Sequence, residues 1–555
     1  MILPTELTAI PLFAEVAPED LARVAQNAAD LRLAAGDYAA HAGDERALFV
    51  VLEGHIEVVK MVDGVERIIG ERPPGDIFGE IPIIFGIPFQ GTFRATEPSR
   101  VMHISAQDYH ALAATSVPLF NALAALARER MGGLQGIAAQ PARARATMIG
   151  HRWDTSCHDL RRFLSRNQIT YEWLTPDLPD LAERWGGPPP AEADWPTLRC
   201  EDGATLVRPT TRLLAERLQL QTRPRGSDYD TVIIGGGPAG LAAAVYGASE
   251  GLRTLVIERE APGGQAGTST RIENYLGFPT GVSGDELAQR ALQQARRLGA
   301  EILVTRDVTG IDPAARTLRL DGGETLQAAT IVLAMGVSWR RLAIEGFDRL
   351  LGKGVFYGAA RSDAGMTQGL DVHLIGAGNS AGQSALYFSS HARQVTMVVR
   401  GDSLEKSMSH YLIEQIRSKP NIRIALRSEV QAVHGSTQIG AVDILDRAGG
   451  ALRREDSGGV YVFIGADAET AWLPEAIALD AHGYILTGDA LVRAGRWNGD
   501  RDPYLLESSV PGFFACGDVR SSPVKRVAAA VGEGSMAIAF IHQYLAYEAS
   551  RRSAS

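Results

Sequence analysis

The stretch that decides the fold is Thr231-Val232-Ile233-Ile234-Gly235-Gly236-Gly237-Pro238-Ala239-Gly240, an apolar run that ends in a cluster of glycines. This pattern predicts a buried strand, a tight turn and the start of a helix. Glycines let the backbone approach phosphate groups, and the free N–H groups of a helix start attract negative charge. We therefore predict that residues 235–240, the first cradle, hold the pyrophosphate of a dinucleotide.

A second stretch repeats the pattern further along the chain. The apolar run 372–375 precedes Gly376-Ala377-Gly378-Asn379-Ser380-Ala381-Gly382, which we call the second cradle. It again predicts strand, turn and helix start. Two cradles in one chain predict two bound dinucleotides, and so electron transfer between them.

The amino-acid composition and net charge of the chain argue against some classes of function. The chain has 555 residues, 45% of them hydrophobic and 22% charged, with a net charge of −10. This balance is ordinary for a globular protein of several domains and argues against nucleic-acid binding. We expect no membrane-spanning segment, no leader peptide and no metal site. Three widely separated cysteines, Cys157, Cys200 and Cys516, cannot form a disulfide framework, which is typical of a cytoplasmic protein.

Turn signals and periodicity divide the chain. Closely spaced glycine turns over 31–105 predict an antiparallel β-roll with flanking helices, and alternating strands and helices after residue 228 predict two Rossmann-like α/β domains. A small α/β unit lies between them. The predicted boundaries are 1–137 for the roll, 138–145 for a linker, 146–220 for the middle unit, 221–228 for a second linker, 229–345 and 465–555 for the first α/β domain, and 346–464 for the second.

Several segments strengthen the prediction at the first cradle. Leu255-Val256-Ile257-Glu258 predicts a second strand that ends in an acid, where a ribose-binding carboxylate belongs; the alternative is an ordinary surface glutamate. Four further motif segments follow in order along the chain: Gly263-Gly264-Gln265, 272–279, 514–519 and 525–534.

These motifs together resemble the bacterial-type, low-molecular-weight thioredoxin reductases over residues 229–550. The resemblance implies a homodimer and an FAD site in which the helix that begins near Val527 points at the flavin and stabilises negative charge on it. It implies that the FAD contacts are Gly235, Gly237, Pro238, Ala239, Gly240, Glu258, Gly264, Gln265, Asn274, Gly517, Asp518 and Val527.

The second cradle resembles the NADPH-binding domain of the same family. The resemblance implies that NADPH contacts Gly376, Gly378, Asn379, Ser380, Ala381 and Arg400. Of the family's basic residues for the 2′-phosphate, only Arg400 is present in the motif, and an ordinary solvated arginine is the alternative. We favour NADPH, with NADH as the other candidate.

The sequence departs from that family at the redox-active Cys-x-x-Cys. Its two positions are occupied by Gly358 and Arg361, so the internal dithiol relay is missing. Tyr357 and Arg361 are candidates to shape the flavin face; the alternative is a plain loop that fills the vacated space.

The middle unit resembles a thioredoxin- or glutaredoxin-like domain. Trp195-Pro196-Thr197 stands where that fold keeps a cis-proline, and Cys157 stands near its active-site helix start. A thiol at a helix N-terminus can be reactive, but a lone cysteine is more often structural. The unit is either a redox module or a degenerate docking module.

Residues 1–135 resemble a cyclic-nucleotide-binding domain of the catabolite-activator type. The resemblance implies regulatory nucleotide contacts at Gly79, Glu80 and Thr92, with Glu80 on the ribose 2′-OH. The phosphate-binding arginine of the family is replaced by Phe89, and Arg94 is a candidate to compensate. A regulatory roll that is ligand-independent or tuned to a different ligand is favoured over a cyclic-nucleotide sensor.

The sequence therefore predicts an FAD-dependent NAD(P)H oxidoreductase that passes hydride from NADPH to FAD and then reduces an external acceptor, a small molecule or a protein. One alternative is disulfide reduction through Cys157 or a partner disulfide. The other is a non-catalytic flavin and nucleotide sensor.

Overall fold

The computed structural model describes residues 2–8, 10–14, 16–44, 46–62, 65–115, 117–138, 144–167, 169–269, 271–279, 281–358 and 365–554. The chain divides into two compact units, Met1–Arg145 and Ala146–Ser555. Each is described by itself below.

The first unit is the roll, two antiparallel four-stranded sheets in the orders β1-β8-β3-β6 and β2-β7-β4-β5. Its strands are β1 (Ala29–Leu33), β2 (Tyr38–Ala40), β3 (Ala47–Glu53), β4 (Ile56–Val62), β5 (Val65–Arg72), β6 (Ile77–Phe78), β7 (Thr92–Ala95) and β8 (Ser99–Ser105). Its helices are α1 (Pro4–Thr8), α2 (Pro18–Asn27), α3 (Glu80–Phe85), α4 (Ala106–Thr115) and α5 (Val117–Ala138), with a 3-10 turn at Pro11–Phe13. The predicted antiparallel roll with flanking helices is confirmed.

The second unit begins with the middle unit, a four-stranded sheet in the order β10-β9-β11-β12. The β9–β10 pair is parallel and the other pairs are antiparallel. Its elements are β9 (Ala146–Ile149), α6 (Thr155–Arg166), β10 (Tyr171–Leu174), α7 (Leu181–Trp185), β11 (Thr197–Cys200), β12 (Thr205–Val207) and α8 (Thr211–Arg217), with a 3-10 turn at Glu192–Asp194. The peptide bond between Trp195 and Pro196 is cis, at the position where the sequence predicts it.

The first α/β domain is built on a seven-stranded sheet in the order β15-β14-β13-β18-β17-β16, with β29 beside β18. Its strands are β13 (Asp228–Ile234), β14 (Thr254–Ile257), β15 (Glu301–Leu303), β16 (Val308–Asp312), β17 (Thr317–Leu320), β18 (Thr325–Leu333) and β29 (Phe513–Ala515). Its helices are α9 (Pro238–Ser249), α10 (Gly284–Arg297), α14 (Asp489–Arg493) and α15 (Val527–Ala554), with 3-10 turns at Ala266–Thr268 and Gly517–Val519. Strands β13, β14, β15, β18 and β29 run parallel, so they bring their carboxyl ends, and the first cradle, to one edge.

The second α/β domain is built on a parallel five-stranded sheet in the order β20-β27-β21-β22-β23, with a separate antiparallel sheet β24-β25-β26. Its elements are α11 (Phe347–Leu350), β20 (Val355–Tyr357), a 3-10 turn at Gly365–Thr367, β21 (Asp371–Ile375), α12 (Asn379–Phe388), β22 (Gln394–Val398), α13 (His410–Arg417), β23 (Ile422–Ala425), β24 (Ser428–His434), β25 (Ala441–Asp446), β26 (Leu452–Asp456) and β27 (Gly459–Val462).

A two-stranded ribbon joins the two α/β domains. It pairs β19 (Val337–Trp339) with β28 (Ala466–Ala468) where the chain leaves and re-enters the first domain. One core cluster packs α9 and α15 on the first sheet, and another packs α12 and α13 on the second. Trp153 and Trp173 of the middle unit also pack against the second cluster. The predicted multidomain architecture with two Rossmann-like domains is confirmed. Among the described residues, no helix combines the length and the apolar character needed to cross a bilayer.

Candidate functional site

The first cradle has the geometry of a dinucleotide turn. Gly235 follows β13 with φ of +104°, and a β-carbon there would lie 2.4 Å from the carbonyl oxygen of Ala334. A β-carbon on Gly240 would lie 1.9 Å from the carbonyl oxygen of Gly235, so both positions exclude side chains. Gly237 caps α9, and a β-carbon there would lie 3.9 Å from the α-carbon of Gly264; the N–H groups at this helix start are the kind that bind phosphate. These residues fit a dinucleotide pyrophosphate.

Glu258 is the acid at the end of β14, and its carboxylate is nearly fully buried. One oxygen accepts the N–H of Gly236 at 2.7 Å and the other accepts the N–H of Glu260 at 2.9 Å. Burial raises the pKa of Glu258, and the two backbone N–H groups partly offset that shift. The carboxylate therefore fixes the turn of the cradle, in the position that the sequence predicts for a ribose acceptor.

The loop after Glu258 closes the cradle from the side. Gly264 packs against Gly237: a β-carbon added to Gly264 would lie 3.0 Å from the α-carbon of Gly237. The Gln265 side chain donates its Nε2–H to the carbonyl of Val337 at 2.6 Å, which ties this loop to β19. Asn274, by contrast, is exposed.

The predicted flavin end contains a contact that the sequence analysis missed. The N–H of Gly517 donates to Oε2 of Glu533 at 2.7 Å, and Arg520 donates to its Oε1 at 2.6 Å. Glu533 lies on α15, which begins at Val527 as predicted, and it is 9% exposed. Burial raises the pKa of Asp518. The signal in the sequence was only an acid one turn and a half into a helix, which is indistinguishable from a surface glutamate.

The second cradle repeats the turn at the end of β21. Gly376 has φ of +143°, and a β-carbon there would lie 2.3 Å from the carbonyl oxygen of Phe463. Ala381 is a buried residue in the first turn of α12, whereas Asn379 and Ser380 at the start of the helix are exposed. The Asn379 side chain accepts the N–H of Ser409 at 2.7 Å and so links the cradle to the start of α13.

Basic residues gather beyond β22. Arg400 is exposed and has no hydrogen-bond or ion-pair partner within the part of the chain that the structure describes. Lys406 is engaged by Asp402 at 2.7 Å, and this contact lowers the pKa of Asp402. Arg427, which the sequence analysis missed, follows β23 and donates its N–H to the carbonyl of Gly401 at 2.8 Å. It is 27 residues from Arg400 in sequence, and the parallel pairing of β22 with β23 places both arginines after adjacent strand ends at one edge of the second sheet.

An aromatic ring packs against Gly358, the residue predicted to replace the first cysteine of the family's dithiol. Gly358 has φ of +77°, and a β-carbon there would lie 3.1 Å from the indole of Trp339. The Tyr357 hydroxyl accepts the N–H of Leu342 at 2.8 Å, and the Arg341 guanidinium lies 4.6 Å from its ring. Tyr357 thus anchors the chain that enters the second domain. Arg361 lies outside the described residues.

None of the three cysteines, all of which the structure describes, forms a disulfide, and all three are buried. Cys157 lies in the first turn of α6, and its N–H donates to the Asp154 carboxylate at 2.8 Å. Burial, the main cause, and the Asp154 carboxylate raise the pKa of Cys157 to about 12. Burial likewise raises the pKa of Cys516. These environments disfavour the thiolate that redox chemistry needs.

A buried aromatic side chain lies where the resemblance predicts the phosphate end of the roll's nucleotide site. Phe89 is 2% exposed and packs edge-on against Phe49 and Phe93. Arg94 does not compensate, because its guanidinium is bonded to the Glu57 carboxylate and lies 3.0 Å from that of Glu66. An aromatic cluster therefore stands where the family has a charge.

At the predicted ribose end of that site, the glutamate that the resemblance implies is present. Glu80 follows Gly79 at the start of α3 and is 3% exposed. One carboxylate oxygen lies 3.3 Å from Arg130 on α5, and the other has no hydrogen-bond partner among the described residues. The Thr92 hydroxyl accepts the N–H of Ala42 at 3.1 Å.

Comparison with known proteins gives two family matches. The model of pyridine nucleotide-disulphide oxidoreductases matches residues 229–534, and that of the cyclic nucleotide-binding domain matches residues 30–116.

Individual relatives match the same half of the chain. The thioredoxin reductase of Treponema pallidum is 34% identical over 312 residues, which are 56% of this chain and 95% of the relative. The bifunctional thioredoxin reductase/thioredoxin of Mycobacterium leprae is 33% identical over 328 residues, which are 59% of this chain and 68% of the relative. A crystal structure of Lactococcus lactis thioredoxin reductase in the FR conformation superposes with a TM-score of 0.52 at 28% identity, over 57% of this chain and 99% of that one.

Proposed function

The chain belongs to the pyridine nucleotide-disulphide oxidoreductase family, whose thioredoxin reductase-like members use FAD and NADPH, and on that premise we propose a reductase that works without an internal dithiol. Reducing equivalents pass from NADPH to FAD and leave directly for an external acceptor, either a small molecule or a protein.

Bound FAD would supply the two-electron redox chemistry. Residues 235–240 would hold its pyrophosphate through the N–H groups at the start of α9, with Glu258 fixing the turn beneath them. Glu533 would hold the loop at Gly517 and Asp518 in place against the flavin end. The start of α15 at Val527 would direct its positive end toward the same place.

The observation that carries the proposal is the state of the three thiols. Cys157, Cys200 and Cys516 are all buried, and no two of them are spaced as Cys-x-x-Cys. The family's dithiol position is Gly358, beneath the Trp339 ring. Electrons therefore have no sulfur relay on this chain and must leave from the flavin itself.

For the nicotinamide coenzyme we favour NADPH over NADH. Arg400 and Arg427 lie at adjacent strand ends beyond the second cradle, and Arg400 is unpaired among the described residues. A 2′-phosphate would pair with these guanidinium groups, whereas a free 2′-hydroxyl would leave their charges unused.

The roll is proposed as a regulatory module that does not use a cyclic phosphate. Phe89 offers no charge to such a group, while Glu80 keeps a buried carboxylate oxygen free to accept a hydroxyl. A homodimer through the first domain is the expected assembly.

Two other functions fit the observations less well. Disulfide reduction through Cys157 is disfavoured by the burial of its thiol and its raised pKa. A non-catalytic sensor would require that the bound flavin is not reduced at a useful rate by the nicotinamide coenzyme.

The experiment is anaerobic stopped-flow mixing of the purified flavoprotein with NADPH and with NADH in parallel, followed by an acceptor panel of quinones, oxygen, ferredoxin and disulfides. We expect flavin bleaching by NADPH within seconds and repeated recovery by an acceptor.

Arg400→Ala should raise the KM for NADPH about tenfold and leave that for NADH unchanged, since one charge-assisted contact is worth about 1.5–3 kcal/mol. Lys406→Ala is the matched control, because Lys406 is already paired with Asp402. Protein that takes up no flavin, or flavin that neither coenzyme bleaches, would refute the proposal.

A further inference from the structure

Helix α6 of the middle unit lies against both α/β domains. At its first turn the Thr155 hydroxyl donates to the carbonyl of Leu351 in the second domain at 3.0 Å. The neighbouring Gly352 is so close that a β-carbon there would lie 3.0 Å from that of Thr155. The start of the helix is therefore seated directly on backbone of the second domain.

The middle of the helix continues this contact. The His158 ring lies 4.7 Å from the ring of Phe356 on β20. The buried Arg161 donates two N–H groups to the sulfur of Met366 at 3.2 and 3.3 Å, while the Trp173 ring covers its guanidinium at 3.8 Å. Phe356 and Met366 flank position 358 on its two sides in sequence.

The last turn of α6 contacts the first domain instead. Arg166 donates to the carboxylate of Glu260 at 2.5 Å and to the carbonyls of Ala261 and Gly264 at 3.0 and 3.1 Å. Its side chain is only 12% exposed. Arg162, one turn earlier, donates to the same Glu260 carboxylate at 3.0 Å.

The loop that Arg166 holds is part of the first cradle. Gly264 packs against Gly237, the residue that caps α9 where the pyrophosphate of FAD would bind. Backbone bonds already hold Gly263, whose N–H donates to the carbonyl of Gly236 at 2.7 Å. Arg166 adds a donor for the carbonyls on either side of it, those of Ala261 and Gly264. The Arg166 side chain, 12% exposed, also adds a positive charge beside this loop, which borders the proposed pyrophosphate site.

We propose that the middle unit completes the FAD site: Arg166 is a positioning residue that orders the 261–264 loop against the cradle, and α6 braces this loop to the second domain through Thr155, His158 and Arg161. The inference rests on the proposed FAD site. It assigns the middle unit a role in cofactor binding and in domain placement that needs no chemistry at Cys157.

The first test is the FAD affinity of the full-length protein, measured by flavin fluorescence during equilibrium release and reconstitution. Arg166→Ala should weaken FAD binding at least tenfold, and Arg166→Lys should recover part of the loss because it keeps the charge. Arg162→Ala is the matched control: it removes the other Glu260 contact and touches neither loop carbonyl. It should stay within threefold of the wild type. Circular dichroism establishes that each variant is folded.

An unchanged FAD affinity in Arg166→Ala would overturn the inference, as would equal losses in both alanine variants, which would point to docking of the middle unit in general. A wild-type protein that binds no FAD would refute the proposed function instead, so the two failures are distinguishable.

A second measurement requires no variant. Amide hydrogen exchange of the wild-type holoprotein should show the same protection in 155–166 and in 351–357 before and after anaerobic reduction by NADPH. Loss of protection in both segments on reduction would show that the second domain leaves α6 during turnover and would contradict the brace.

Discussion

The indole of Trp339 lies 3.1 Å from the point where a β-carbon on Gly358 would stand. Trp339 ends β19, the strand that leaves the first domain, and its ring meets the Phe463 ring edge-on at 6.3 Å. Gly358 has φ of +77°, a conformation that residues with side chains adopt at a cost. Position 358, where the sequence predicts the first of the family's two cysteines to be replaced, is therefore shaped for glycine in this chain.

Gly358→Ala should destabilise the protein by about 2–3 kcal/mol, because it combines backbone strain with contact against a ring that is itself packed. Gly369→Ala is the matched control, since Gly369 has φ of +73° with no atom within 4 Å of a β-carbon. That variant should lose only about 1 kcal/mol. Urea unfolding of both variants measures the difference, and equal losses would show that Trp339 does not restrict position 358.

Cys157→Ala should leave both NADPH oxidation and turnover of an aromatic disulfide within twofold of the wild type. A thiol with a pKa of about 12 is almost fully protonated at neutral pH and is a poor nucleophile. Steady-state assays check this, with Cys200→Ala, which removes another buried thiol of the middle unit, as the control. Selective loss of disulfide turnover in Cys157→Ala would instead support disulfide reduction through Cys157.

Glu533→Ala should weaken FAD binding about tenfold or more. It removes the acceptor of the Gly517 N–H and leaves Arg520 without its carboxylate, at a cost of about 2 kcal/mol. Glu548→Ala on the same helix, where Glu548 lies 3.7 Å from Arg316, should bind FAD like the wild type. Flavin release measured by fluorescence compares the two, and similar FAD affinities would remove Glu533 from the site.

Stability of the second domain should depend on pH through Glu455. The His373 side chain, with further help from Arg423 against the effect of burial, lowers the pKa of Glu455 to about 2. A carboxyl whose pKa is lower in the folded state stabilises the fold above its unfolded pKa near 4.5, and this contribution is lost as the pH falls from there toward 2.

Glu455→Gln should therefore lower the free energy of unfolding by about 2 kcal/mol at pH 7 and by much less near pH 3. Exposed Glu414→Gln on α13 serves as the control and should change little at either pH. Chemical denaturation at the two pH values measures this. If the loss of unfolding free energy in Glu455→Gln is as large near pH 3 as at pH 7, the lowered pKa of Glu455 is contradicted.

Local patterns predicted much of this fold. The apolar runs before Gly235 and Gly376 predicted β13 and β21 because a buried parallel strand followed by a glycine turn has a local signature. The strand before Glu258 was predicted for the same reason, whereas the helix that begins at Val527 was expected from the family resemblance.

Contacts between distant segments had no such signature. Three contacts depend on how separate elements pack. They are the bond between Glu533 and Gly517, the packing of Trp339 against Gly358, and the bonds from Arg166 to the 261–264 loop. An arginine in the last turn of a helix has the same sequence pattern whether it faces water or a cofactor loop. The replacement of a phosphate-binding arginine by Phe89 was visible in the sequence, whereas its burial among aromatic rings was not.

The most direct test of the central claim counts the electrons that the purified protein takes up per bound FAD in an anaerobic titration with dithionite. A reductase without an internal dithiol should reach its end point at two electrons per FAD, in the wild type and in Cys157→Ala alike. An end point of four electrons per FAD would reveal a second redox pair on the chain and would contradict the account.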